Sequence, residues 1–129
     1  MNQMNRPQHS KGQGGWRRLV RAARHSWDGL RAAWAHEAAF RQEIVAAAVL
    51  IPIAAVLHLT VVEKILLIGT VLLVLIVEVL NSALEAAIDR DSLEINSLGK
   101  RAKDLGSAAV MLALLLCAGT WVAVLVARF

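Results

Sequence analysis

The sequence predicts an all-α membrane protein: three transmembrane helices preceded by an amphipathic helix on the membrane surface. Three observations carry that reading. Apolar residues make up 57% of the 129 and mean hydropathy is +0.55, above what a soluble domain of this size usually carries. Three stretches, 44–62, 65–88 and 105–127, have the length of roughly 20 residues needed to cross the hydrocarbon core of a bilayer. A soluble helical bundle would need a polar face on each helix, and these have none. Finally, the second stretch ends in acidic and amide side chains that share one helical face. The chain is long enough for one domain.

Residues 1–14 are rich in Gln, Asn and Gly without periodicity and read as a disordered tail, leaving 15–129 as the membrane domain. Over 16–41, Trp16, Leu19, Val20, Ala23, Trp27, Leu30 and Trp34 recur at helical spacing, while Arg17, Arg18, Arg21, Arg24 and Arg31 cover other faces. Such a helix suits the membrane interface, with its rings at headgroup depth and its cations near anionic lipid. The arginines serve either as a plain surface anchor or as a site for a lipid headgroup or phosphate. Glu37 and Arg41 stand at i,i+4, a spacing whose ion pair is worth about 0.2–0.5 kcal/mol on a helix surface.

The first span, 44–62, is uncharged and carries Pro52 and His58; Glu63-Lys64 then breaks the pattern and allows a tight hairpin into the second, 65–88. A hydrophilic loop follows, with Asn96-Ser97 and Gly99-Lys100-Arg101-Ala102-Lys103-Asp104. Gly106, Ser107, Ala108 and Ala109 open the third span, 105–127, and the four-residue spacing of Ala102 with Gly106 and of Ala109 with Ala113 allows close helix approach. Cys117 is the single cysteine and reads as a small packing residue, which leaves no disulfide framework and no thiolate metal site.

The basic residues set an expected orientation. Eight of the 14 Lys and Arg precede Gln42 and four lie between the second and third spans, against Lys64 in the first loop and Arg128 at the C-terminus. The positive-inside rule therefore places the N-terminus and second loop in the cytoplasm and the C-terminus outside, in the periplasm of a bacterial inner membrane. No signal peptide is expected, and no nucleic-acid partner.

Chemistry concentrates at the end of the second span. At 100° per residue, Asn81, Glu85 and Asp89 fall within about 60° of Glu78. A carboxylate at mid-bilayer costs roughly 2.5–3.5 kcal/mol by insertion scales, less near the interface. Several on one stripe imply a polar, metal-binding site turned toward protein. Lys103 placed against that stripe can hold transferring phosphate oxygens, with Asp104 orienting it. No Walker A pattern, kinase Gly-rich loop or His-Arg-Asp motif occurs, so phosphoryl transfer here would use an unrelated site.

Glu78-x-x-Asn81-Ser82-Ala83-Leu84-Glu85-x-x-x-Asp89, followed by Arg101-Ala102-Lys103-Asp104-x-Gly106-Ser107-Ala108-Ala109, resembles the signature of the prokaryotic integral-membrane diacylglycerol kinases. Upstream, Gly29-Leu30-Arg31-Ala32-Ala33-Trp34 and Glu37-Ala38-Ala39-Phe40-Arg41-Gln42-Glu43 resemble the Gram-negative branch. The resemblance covers about 16–129. It departs at His25, where enterobacterial relatives carry an aromatic phenol, and at Pro52 within the first span. The resemblance implies a homotrimer whose sites form between subunits near the cytoplasmic face. It implies transfer of the γ-phosphoryl group of magnesium-bound ATP to the primary hydroxyl of diacylglycerol. By the same resemblance, Glu78 is the proton acceptor, with Asn81, Lys103 and Asp104 beside it in catalysis. Glu37 and Glu85 are the Mg2+ ligands. Arg18, His25, Glu94, Ile95, Asn96, Lys103 and Asp104 contact the nucleotide with them. Arg18, Trp27, Arg31, Trp34, Glu43, Glu78 and Ser107 face the lipid substrate.

Other classes stay open at this stage. An undecaprenol kinase shares the catalytic motif, and apolar contacts alone discriminate poorly between lipid tails. Intramembrane acids also mark ion or proton paths in transporters, although here they cluster at one membrane edge. A structural or lipid-sensing protein without catalysis would leave Asn81 and Glu85 uncompensated.

Overall fold

The computed structural model describes residues 14–91 and 97–129. Among them four helices follow one another, α1 (Gly15–His36), α2 (Ala38–Val56), α3 (Val61–Asp91) and α4 (Ser97–Arg128), with no strand. α2, α3 and α4 are each long and apolar enough to cross a membrane. At about 1.5 Å rise per residue, the 31 residues of α3 and 32 of α4 exceed a hydrocarbon core of about 30 Å. Their charged ends therefore stand clear of the lipid tails.

The first hairpin is placed differently from the sequence expectation. α2 stops at Val56, residues 57–60 connect, and α3 starts at Val61, so the expected span 44–62 is divided and Glu63-Lys64 is not the break. A reciprocal cap explains the shift: the Glu63 backbone N–H donates to Thr60 Oγ1 (3.2 Å), and the Thr60 N–H donates to Glu63 Oε1 (3.2 Å). Thr60 and Glu63 thus form a capping box that starts α3 four residues before the uncharged run. Lys64 Nζ reaches back to the Ala55 carbonyl (2.7 Å) and covers an open C-terminal carbonyl of α2.

The first helix also ends before the expected residue 41. α1 closes at His36, and Glu37 takes an extended conformation (φ −116°, ψ 107°) with its N–H on the Ala33 carbonyl. Arg41 Nη1 donates to the carbonyls of Trp34 (2.7 Å) and Ala35 (3.4 Å). Arg41 therefore caps the last turn of α1, a stronger use of the guanidinium than the surface pair with Glu37 that the spacing had pointed to.

α3 is the central element, packing against α2 on one side and α4 on the other. Ala47, Ala54, Leu67, Val71 and Trp121 form the core, with Ala54 and Leu67 wholly inaccessible. Trp121 Nε1 donates to the Leu67 carbonyl (3.1 Å), which also accepts from Thr70 Oγ1 (3.0 Å). At the α2–α3 hairpin end Arg128 grips Glu63 with two nitrogens, Nε on Oε2 (2.9 Å) and Nη2 on Oε1 (2.6 Å). That fork joins the end of α4 to the start of α3 and fixes them as antiparallel neighbours.

Candidate active site

The buried face of α3 runs Leu67, Val71, Val74 and then Glu78, at spacings of four, three and four that keep one helical face inward. Its N-terminal half is apolar and packs the core; its C-terminal half turns polar at Glu78, Asn81, Ser82 and Glu85. Glu78 is 5% exposed and is the one buried charged side chain among the described residues. Burying an acid is costly, and three further acids lie close to this one. The carboxyl of Glu43, on α2, is in hydrogen-bonding contact with that of Glu78. Glu37, at the α1–α2 corner, and Glu85, two turns further along α3, are near enough for their charges to bear on Glu78. Asn81 Nδ2 donates to Glu85 Oε1 at 3.5 Å. Three buried oxygens, Glu43 Oε2, Asn81 Oδ1 and Ser82 Oγ, meet no hydrogen-bond partner.

The start of α4 closes the polar end. Lys103 Nζ is paired with Asp89 Oδ1 at 2.5 Å, which holds the ammonium at the edge of the stripe where the charge of Glu85 also reaches it. Asp104 is turned to Lys100 instead (2.7 Å). Adjacent helical residues point about 100° apart, so Lys103 and Asp104 do not face the stripe together. Lys103 is therefore paired with Asp89, and Asp104 with Lys100.

Trp27, Arg31 and Trp34 come together with Leu30, Phe40 and Ile44 in a groove of about 530 Å³ between α1 and α2. Arg18 and His25 lie exposed on α1, and Ser107 is exposed on α4. Glu94, Ile95 and Asn96 fall outside the described residues. Sequence reading gave no role to Ser82 or to the Asp89 contact, and Phe40 and Ile44 carried no signal beyond their hydrophobicity. Asp89 was on the stripe but its partner depends on how α3 and α4 meet.

The donor chemistry fits Mg2+. This ion takes hard oxygen ligands and is usually held by one or two carboxylates together with phosphate oxygens and water. Glu37 and Glu85 offer carboxylates from two elements beside the buried Glu78. Among the described residues no group of three or more His, Cys, Asp or Glu is gathered to hold an ion alone, so a metal here would draw its remaining ligands from phosphate and water.

Comparison with known proteins places this geometry in a family. Residues 24–125 match the family model described as prokaryotic diacylglycerol kinase. The chain is 50% identical over 115 residues to the diacylglycerol kinase of Escherichia coli K12, covering 89% of this chain and 94% of that protein. It is 48% identical over 119 residues to the Pseudomonas aeruginosa diacylglycerol kinase, covering 92% and 97%. Against the Haemophilus influenzae diacylglycerol kinase it is 44% identical over 103 residues, covering 80% and 87%. With the motif residues of the stripe and of α4 inside the matched region, the chain belongs to the prokaryotic diacylglycerol kinase family.

Proposed function

We propose that this protein is a diacylglycerol kinase of the bacterial inner membrane, moving the γ-phosphoryl group of MgATP to the primary hydroxyl of diacylglycerol and releasing ADP and phosphatidic acid. One observation carries the proposal above the rest: a buried carboxyl, Glu78, against the half-buried Glu43, in a three-span helical unit of a chain whose named relatives are diacylglycerol kinases. The N-terminus and the α3–α4 connection lie in the cytoplasm, where ATP is found, and the C-terminus lies in the periplasm. α1 rests on the cytoplasmic surface, with Trp27, Arg31 and Trp34 in the groove that admits the lipid. The working unit is a homotrimer.

A primary alcohol is a weak nucleophile, and a positioned carboxylate is the means available to take its proton. The hydroxyl oxygen attacks the γ-phosphorus in line, its proton passes to Glu78, and the bond from the γ-phosphorus to the bridging oxygen breaks with ADP leaving. Glu43, in contact with Glu78, shares the proton so gained and marks the side from which the lipid headgroup enters. Glu37 and Glu85 would hold Mg2+, which when bound would supply charge neutralisation for the phosphates. Lys103 leaves Asp89 to contact the phosphate oxygens, and Arg18, His25, Glu94, Ile95, Asn96 and Asp104 bind the rest of the nucleotide. Little covalent chemistry is asked of the protein, so positioning and charge account for most of the rate.

The test is transfer of label from [γ-32P]ATP by the purified protein in mixed micelles containing diacylglycerol, ceramide or a polyprenol. Diacylglycerol is expected to be the preferred acceptor. Preference for the polyprenol would move the protein to the undecaprenol kinase branch, and no transfer to any lipid would remove the kinase reading.

A further inference from the structure

Gly106 stands where α4 meets the polar half of α3. A Cβ at this position would collide with Asn81 Oδ1 and lie 3.3 Å from Asn81 Cγ and 3.1 Å from Leu84 Cδ2. Gly69 and Gly119, also in membrane helices, have nothing within 4 Å of such a Cβ. The contact at Gly106 is therefore local, and its tightest part is with the polar tip of Asn81, with Leu84 beside it. Asn81 Oδ1 is buried and meets no hydrogen-bond partner; it rests against the hydrogen that glycine carries in place of a side chain, a weak C–H···O contact. The other end of the same amide, Nδ2, donates to Glu85 Oε1 at 3.5 Å. The amide is flat and rigid, so the place of Oδ1 fixes the direction of Nδ2. A methyl group at 106 would displace the amide before it displaced the helix, because Asn81 has free side-chain torsions and the α4 backbone does not.

We infer that Gly106 is a positioning residue: it leaves the space in which Asn81 lies against α4 and thereby aims the Asn81 amide at Glu85. The inference rests on the reading of Glu85 as a metal ligand for its consequence, and on geometry alone for its mechanism. A metal-bound carboxylate is oriented by the hydrogen bond made to its other oxygen, and losing such a partner typically weakens metal binding ~10–100-fold. Alanine is a better helix former than glycine, so a merely structural role for an unconstrained residue 106 makes Gly106→Ala neutral or stabilising. Positioning gives the opposite result at the site.

The experiment uses the full-length trimer in detergent micelles, with Mn2+ as a spectroscopic probe in the presence of a non-hydrolysable ATP analogue. Mn2+ affinity is measured by electron paramagnetic resonance for wild type, Gly106→Ala, Gly119→Ala, Asn81→Ala and the Asn81→Ala/Gly106→Ala double variant. The 15N side-chain amide resonance of Asn81, assigned by its loss in Asn81→Ala, is recorded for wild type, Gly106→Ala and Gly119→Ala. Gly106→Ala is expected to move that resonance and to weaken Mn2+ binding ~10–100-fold, with Gly119→Ala unchanged in both. Once Asn81 is already alanine, adding Gly106→Ala is expected to change Mn2+ affinity by less than about twofold, since both act through one contact. Wild-type affinity in Gly106→Ala, or losses that multiply in the double variant, would overturn the inference. Should Gly106→Ala fail to assemble, Asn81→Ala in the same chain is expected to restore assembly, and continued misfolding would place the clash elsewhere and overturn it too. A wild-type protein that binds no Mn2+ refutes the metal reading alone; an Asn81 resonance unmoved by Gly106→Ala then overturns the positioning.

Discussion

A carboxylate buried among apolar helices is costly, and at Glu78 the neighbouring acids add to that cost. Glu78 contacts a second carboxyl, Glu43, and has Glu37 and Glu85 within electrostatic reach. Like charges so gathered repel, and a divalent cation relieves that repulsion while using the same oxygens as ligands. If Glu37 and Glu85 serve one ion, Glu37→Gln and Glu85→Gln each raise the Mg2+ concentration needed for half-maximal activity, and the double variant is little worse than the poorer single. Initial rates across a Mg2+ titration decide this; two losses that multiply would assign the residues to separate tasks. The stripe of Glu78, Asn81, Glu85 and Asp89 was legible because a helix repeat alone sets it. The Glu43 contact was not, because it depends on the register of α2 against α3, between residues 35 apart in sequence. Nor was the exchange of partners at α4, where Lys103 takes Asp89 and Asp104 takes Lys100. Sequence placed these four charges near one another without deciding who pairs with whom.

At the scale of elements, the three spans were legible from the absence of charge, and their ends were not. Thr60 and Glu63 are ordinary residues until each caps the other, and that cap moves the start of α3 back to Val61. Glu63 then does a second task, accepting the Arg128 fork that closes α4 onto α3. This clasp lies at the opposite end of the helices from Glu78. Arg128→Ala is therefore expected to lower the thermal unfolding midpoint while leaving kcat of the folded protein unchanged. A lowered kcat at an unaltered midpoint would mean that the hairpin end communicates with the site. Deeper in the bundle, Trp121→Phe removes the donor to the Leu67 carbonyl. Hydrogen bonds between membrane helices average about 0.6 kcal/mol, and Thr70 still serves that carbonyl. A small loss of stability, near that figure, is expected in reversible unfolding in detergent, and a neutral result would show the indole acting only by its packing.

At the scale of the whole molecule, one chain does not cover its own polar groups. Glu43 Oε2, Asn81 Oδ1 and Ser82 Oγ are buried without partners, and hydrocarbon offers them none. Arg18 and His25 are exposed on α1. If sites are composite, mixing the inactive Glu78→Gln and Glu37→Gln proteins is expected to regain part of the wild-type activity in mixed trimers. Mixed trimers that form and stay inactive would confine each site to one chain. All of this depends on what Glu78 does, and single-turnover transfer of the γ-32P label to diacylglycerol by Glu78→Gln trimers reads that role directly. The account predicts intact assembly, near-normal nucleotide binding and a transfer rate reduced at least ~10²-fold; a Glu78→Gln trimer that phosphorylates diacylglycerol at close to the wild-type rate would contradict it.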